Sequence, residues 1–178
     1  YQLSKLSGVP QTTLSDLCCK KTELDKCSSE TLFKISKAVD ISMEELLSNV
    51  EDDTFNLNDF ELFKSDVCHF ASKNDANFVI EEIDKSNEII SMYKSKQYAM
   101  AFYLLAMVDY LSNKCNKPLN KKYDYIRMHK LSDTIYPKDI VLLDKVMNTN
   151  ENKIKSKKES IKEFLRFNIV ENDIYHVI

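Results

Sequence analysis

The side chains best placed to do chemistry lie in one short run: Gln11, Thr12, Thr13, Ser15 and Asp16. A glutamine amide can bond an adenine edge bidentately, and a threonine or serine hydroxyl can reach a base or a phosphate. Leu14 and Leu17 recur within the run at helical spacing. That spacing puts the leucines on one face and Gln11, Thr12, Ser15 and Asp16 on another. A helix laid in the major groove reads bases with side chains near its N-terminus, where Gln11, Thr12 and Thr13 fall. Lys5, Lys20 and Lys21 flank the run and are candidates for phosphate contacts, each adding to the salt dependence of binding. Taken singly, each of these lysines reads equally well as a solvated surface residue. Asp16 points the other way, since a carboxylate beside phosphates is repelled.

No other constellation competes. His69, His129 and His176 are far apart in sequence, and one glycine in 178 residues cannot build a phosphate-cradling loop. The five cysteines (Cys18, Cys19, Cys27, Cys68, Cys115) contain no CxxC pair. Cys68 and His69 are adjacent and would point apart on a helix, so the spacings do not fit a zinc site. An odd number of cysteines in a chain of this length reads as reduced thiols. The acidic residues show no paired pattern. The chain is therefore not expected to be an enzyme, and no cofactor or metal is implied. The dense basic run at 153–158 reads first as a solvated helix face, and second as a surface for nucleic acid or an acidic protein.

The elements that position the polar run turn on Gly8, the chain's one glycine. Leu3 and Leu6 precede it at helical spacing, and Leu14 and Leu17 follow it. Glycine enters φ > 0 without a Cβ clash, so it can end one helix and swing the chain into the next. Pro10 lacks an N–H and suits the start of the second helix, expected over residues 10–18. Ser28 should cap a further helix with Glu30 in its first turn and Leu32, Ile35, Ala38 and Val39 buried. Asp40 stands at a left-handed exit, and Ser42 with Glu45 forms a capping box for a short helix ending near Ser48.

The run L-S-x-x-x-G-V-P-Q-T-T-L-S-x-L, followed by T-L-F-K-I-S-K-A-V-D-I-S-M-E-E-L-L, resembles the Xre/λ-repressor-like helix-turn-helix family. The matching positions are Leu3, Ser4, Gly8, Val9, Thr13, Leu14 and Ser15, then Ile35, Ser36, Val39, Ser42, Glu45, Leu46 and Leu47. The resemblance covers residues 1–48 and implies a DNA-binding domain with Gln11, Thr12 and Ser15 in the readout. It also implies an earlier first helix, expected to be missing or trimmed here, because the chain opens at Tyr1 within the second. Where the family often has glycine after the recognition helix, this chain has Lys20. The rest of the chain resembles the helical domain that follows such motifs in some Gram-positive regulators.

Hydrophobic content of 43%, 30% charged residues and three prolines point to an all-α chain with a real core. The expected organisation is a helix-turn-helix domain over 1–49, a linker over 50–58 and a larger α-helical domain over 59–178 for dimerisation or partner binding. That larger domain should begin a helix at Asn58-Asp59 with Phe60, Phe63, Val67 and Phe70. A second starts at Asp75 with Phe78, Val79 and Ile83, and a central, mostly buried helix over the stretch 96–114 carries Tyr98, Phe102, Leu104, Leu105, Met107 and Leu111, with Pro118 as its terminator. Tyr98, Phe102, Tyr103 and Tyr110 sit at helical spacing and read first as core, and second, for a minority of them, as the lining of a binding groove. Pro137 should stand at the N-terminus of a helix with Ile140, Val141, Leu143 and Val146. The run at 98–111 is too short for a membrane span and contains Asp109. No secretory signal is visible, and a cytoplasmic protein is expected.

Net charge is −3, with six lysines against seven acidic residues in 1–50, whereas a DNA binder usually has a basic face. A homodimer meeting two half-sites of double-stranded DNA would offset that weakness. The expected function is sequence-specific transcriptional regulation. The rival reading is an antitoxin-like module whose C-terminal helices bind and neutralise a protein partner, a toxin, with autoregulatory DNA binding.

Overall fold

The structure is a computed structural model that describes residues 2–19, 21–50 and 55–174. Helix makes up 69% of the described residues, and among them strand is confined to the two-residue segments Asn49–Val50 and Lys130–Leu131, so the class is all-α. The chain divides into two compact units, Tyr1–Asn49 and Val50–Ile178.

Unit 1 holds α1 (Gln2–Ser7), α2 (Gln11–Cys18), α3 (Ser29–Ala38) and α4 (Met43–Ser48). Its core is small. Val9, Leu14 and Ile35 are buried together, with Leu3, Leu17 and Leu46 packed against them. Ser28 caps α3 by accepting the Thr31 N–H, and Glu30 stands in the first turn, favourable to the helix dipole. Asp40 leaves α3 at φ 56°, the left-handed exit expected there. Val39, expected in the buried stripe, is instead exposed, because α3 ends at Ala38 and Val39 lies beyond the helical register. The backbone of α4 follows Ser42, whose carbonyl accepts the Leu46 N–H at 2.9 Å.

Unit 2 is built on α5 (Leu57–Lys73), α6 (Ala76–Ser86), α7 (Glu88–Lys94), α8 (Tyr98–Lys114), α9 (Asp124–Arg127), α10 (Lys138–Met147), α11 (Glu151–Glu159) and α12 (Lys162–Leu165). Of the segment 50–58 read as a linker, 51–54 lie outside the described residues, and Leu57 and Asn58 are already helical. The reason is Asn56, whose side chain caps α5 by accepting the Asn58 N–H at 2.9 Å. Asp75 does the same for α6, accepting from Asn77 at 2.9 Å.

The centre of unit 2 is α8. Phe102, Tyr103, Leu105, Ala106 and Met107 are wholly buried in it. An all-round apolar helix is stable only if neighbours cover every face, and here α5, α6, α7 and α12 do so. Helix α8 ends at Lys114, four residues before Pro118. Asn116, at φ 51°, turns the chain out, so a left-handed asparagine rather than the proline ends the helix. Phe70 and Phe78 sit at the edge of this core and face each other at 6.3 Å, both partly exposed.

Asp109 is the one carboxylate in α8 and is 3% exposed. Arg127 closes on it as a fork, Nε donating to one oxygen at 2.9 Å and Nη2 to the other at 2.7 Å. The remaining guanidinium nitrogen, Nη1, donates to Asp124 at 2.8 Å and to the Asn120 carbonyl at 2.7 Å. Removing one member of a buried pair strands the other charge.

The helix expected from Pro137 is α10, and a polar residue seats the hairpin it makes with α11. Leu143 and Val146 are exposed, Ile140 and Val141 are half-buried, and the residue that turns inward is Asp144, 3% exposed. Its carboxylate accepts the backbone N–H of Asn152 at 3.2 Å and of Lys153 at 3.0 Å, and the Asn152 amide at 2.7 Å. Asp144 thus caps α11 from the helix before it. Its burial works against the charge, but the hydrogen bonds from Asn152 and Lys153 outweigh this and hold its pKa below the ordinary carboxylate value.

Two outcomes are expected. Arg127→Ala should lower the unfolding free energy by about 3–5 kcal/mol in a denaturant titration, and Asp109→Leu/Arg127→Met should recover most of it. Because the folded pKa of Asp144 is depressed, its stabilising contribution is complete above the unfolded value of about 3.9 and disappears as pH falls through the folded one. Hydrogen exchange should therefore show the Asn152 and Lys153 amides losing protection in acid. In Asp144→Asn, protection should be low already at neutral pH.

Candidate nucleic-acid interface

The corner between α1 and α2 is fixed by three short-range devices. Gly8 takes φ +68°, and its N–H bonds the Ser4 carbonyl at 2.9 Å. The Ser4 hydroxyl donates to the Val9 carbonyl at 2.8 Å, tying α1 to the far side of the turn. The Ser7 hydroxyl donates to the Leu3 carbonyl at 2.7 Å and accepts the Val9 N–H at 3.2 Å. Val9 itself is 2% exposed and plugs the corner. Ser4 was legible as a small residue in the sequence run; the double role of Ser7 was not.

Helix α2 begins at Gln11, one residue later than expected. Pro10 is extended, with ψ 140°, and stands at the N-cap, its carbonyl accepting the Leu14 N–H at 3.1 Å. No side chain caps this end, and its first turn carries no acid. The positive end of the helix dipole is therefore not offset by a side-chain cap at Pro10 or by an acid in the first turn.

Leu14 is buried and Leu17 half-buried, so the helix is seated by its leucine face. Gln11, Thr12 and Ser15 are exposed on the other side, and Thr13 is half-buried. These four candidates are thus brought onto one short helix, three of them open to solvent. Lys5 is exposed on α1. Lys21 is exposed and lies 3.7 Å from Asp16, so that carboxylate is partly offset by its neighbour. Such an exposed pair contributes little to stability. Lys20 lies outside the described residues. The exit of α2 runs through Cys19 at φ −86°, and the Asp16 carbonyl accepts the Lys21 N–H at 2.8 Å.

The other candidates scatter. His69 is exposed on α5, and His129 pairs with the Tyr93 hydroxyl at 3.1 Å. Burial, with Tyr98 and Tyr125 nearby, pushes the Tyr93 pKa to about 12. His176 lies outside the described residues. Cys18 and Cys19 are exposed, Cys27 and Cys115 half-buried, and Cys68 buried. Among the described residues no group of three or more His, Cys, Asp or Glu side chains is placed to hold a metal ion, and no helix is long and apolar enough to cross a membrane. The basic run at 153–158 falls on α11, where Lys155, Lys157 and Lys158 are exposed and Lys153 is half-buried. No protein-family model, curated protein or solved structure matches the chain.

A Cβ built on Gly8 meets nothing within 4 Å. The cost of substitution there is therefore backbone strain alone. Gly8→Ala should destabilise unit 1 by about 1–2 kcal/mol, and Gly8→Asn by less, since asparagine visits the left-handed region readily. Thermal unfolding monitored by helical circular dichroism checks both; equal loss in the two variants would point to a clash instead.

Proposed function

We propose that this protein is a sequence-specific DNA-binding regulator whose residues 1–49 act as a helix-turn-helix of the Xre type. In this reading α2 enters the major groove, Gln11, Thr12 and Ser15 form the readout, and the lysines contact the backbone. The observation that carries the reading is the outward polar edge of α2, held on a pinned corner and seated by Leu14. The first turn of α2, without an acid and without a side-chain cap at Pro10, supports it further, because the N-terminus of a helix suits a phosphate. With a net charge of −3 over the chain, affinity on one half-site is weak, and a homodimer on two half-sites supplies the avidity.

A second reading, in which unit 2 binds a partner protein, is favoured by an open groove beside α5 in that unit.

The DNA reading is tested by selecting duplexes from a random-sequence pool at low salt, then titrating the enriched duplex in gel shifts. The parent should bind it more tightly than a scrambled duplex. Gln11→Ala/Thr12→Ala should weaken specific binding about tenfold or more, in line with about 1–3 kcal/mol for a good base contact. Unchanged binding by the double variant removes these residues from the readout, and a pool that never enriches removes the reading.

A further inference from the structure

Unit 2 contains a groove of about 1060 Å³. One wall is α5, the other is the α10–α11 hairpin, and residues 171–173 close one end. The floor is polar and already satisfied. Lys64 meets Glu171 at 2.8 Å, and Glu171 also accepts the Tyr103 hydroxyl at 3.0 Å. That hydroxyl lies 3.1 Å from the Cys68 thiol, whose pKa burial pushes up. The floor is therefore a scaffold and offers no activated nucleophile.

The rim is different. Leu62 on α5 and Leu142 on α10 are 69% and 53% exposed, two large apolar side chains on opposite walls. Between and below them the lining holds five carboxylates against three lysines, a net of −2. Lys64 is committed to Glu171; Lys138 donates to the neutral Asn58 amide oxygen at 3.3 Å and keeps its charge, so Glu61, Asp139, Glu159 and Asp173 face two lysines, Lys138 and Lys155. Glu61 is partly buried, and this burial raises its pKa; Lys64 and Lys138 pull it down, while Glu171 and Asp139 push it further up. Carboxylates held in mutual repulsion are relieved by an incoming cation.

The volume stands at the upper end of metabolite pockets, and the rim residues are open to solvent, so a length of polypeptide fits better than an enclosed small molecule. Helical walls with an apolar rim suit an amphipathic helix laid between them. Lysine and arginine match the radial order of the site, because their stems are apolar and their tips cationic. We propose that this groove docks a lysine- or arginine-bearing amphipathic helix of a partner protein, its aliphatic side chains against Leu62 and Leu142 and its cations toward Glu61, Asp139 and Glu159. The inference rests on reading unit 2 as a partner-binding module and names the chemistry of that partner.

The probe is a fluorescein-labelled peptide with leucines at i, i+3, i+4 and i+7 and lysines between them, titrated with the full chain and followed by anisotropy. Binding is expected, weakening as salt rises and absent for the same peptide with glutamate in place of lysine. Glu61→Gln/Asp139→Asn and Leu142→Ser should each weaken it about tenfold, or about 1.4 kcal/mol. Val146→Ser, at an 83% exposed position of α10 outside the groove, should leave it unchanged. Absence of binding, or equal binding of the glutamate peptide, overturns the proposal. So does loss confined to Val146→Ser; in that case partner binding by unit 2 survives on another face and the groove assignment alone falls.

Discussion

A carboxylate inside an otherwise apolar helix must find a cation, and in unit 2 that requirement fixes much of the fold. Helix α8 is covered on every side, yet it carries Asp109 at its centre of burial. The ionised side chain is tolerable there only because Arg127 presents a planar fork to both oxygens. Arginine suits the position for a second reason. Its third nitrogen reaches Asp124 and the Asn120 carbonyl, so one residue also ties the segment around 120–127 to itself. Asp84 completes the same region, accepting from the Tyr123 hydroxyl at 2.8 Å and the Asn120 amide at 3.1 Å.

The opposite flank of α8 repeats the logic with other chemistry. Tyr103 is wholly buried, and its hydroxyl needs an acceptor. Glu171 supplies one and in turn needs a cation, which Lys64 on α5 provides. Burial alone would lower the Lys64 pKa, but the Glu171 charge and hydrogen bond more than offset it. Satisfying one phenol thus brings the closing segment and α5 together. Their meeting makes the floor of the groove, while Asp144, by capping α11, sets its other wall. Among the described residues no buried side-chain nitrogen or oxygen lacks a partner. The groove is a consequence of how the core disposes of its polar atoms, which is why its floor is hydrogen-bonded and its rim is left to face solvent.

What could be read from the sequence follows from the range of the forces involved. Local signals came through. Gly8 marked the corner, Ser28 and Asp75 marked helix starts, and the continuous apolar run marked α8. Each depends on residues within one or two turns of one another. The polar edge of α2 was legible for the same reason, since Leu14 and Leu17 alone determine which way Gln11 and Thr12 face. Signals that depend on distant partners did not come through. Nothing near Asp109 announced Arg127, eighteen residues on. The apolar residues of α10 did not show which face turns inward, and Asp144 takes that position because helical periodicity is silent about a cap supplied to the next helix. Pro118 looked like a terminator and was pre-empted by Asn116, whose left-handed turn no hydrophobic pattern encodes. The groove was invisible for the same reason, as its lining comes from segments more than a hundred residues apart.

The two units also differ in how they are held, and this bears on how each would meet a partner. Unit 1 buries three apolar side chains together and relies on hydroxyl bonds at the corner; unit 2 buries an extended aromatic core in which Phe102 stacks on Phe167 at 4.9 Å. A small core gives little surplus stability. On the DNA-binding reading, unit 1 brings few cations to the duplex, since Lys21 is shared with Asp16. Few phosphates neutralised means few counterions released, so the salt dependence of each half-site is shallow. Discrimination must then come from the hydrogen-bonding edge of α2 and from simultaneous engagement of two copies. An acidic chain that reads DNA by these means gives up nonspecific affinity, and its specificity ratio depends less on salt than that of a strongly basic domain.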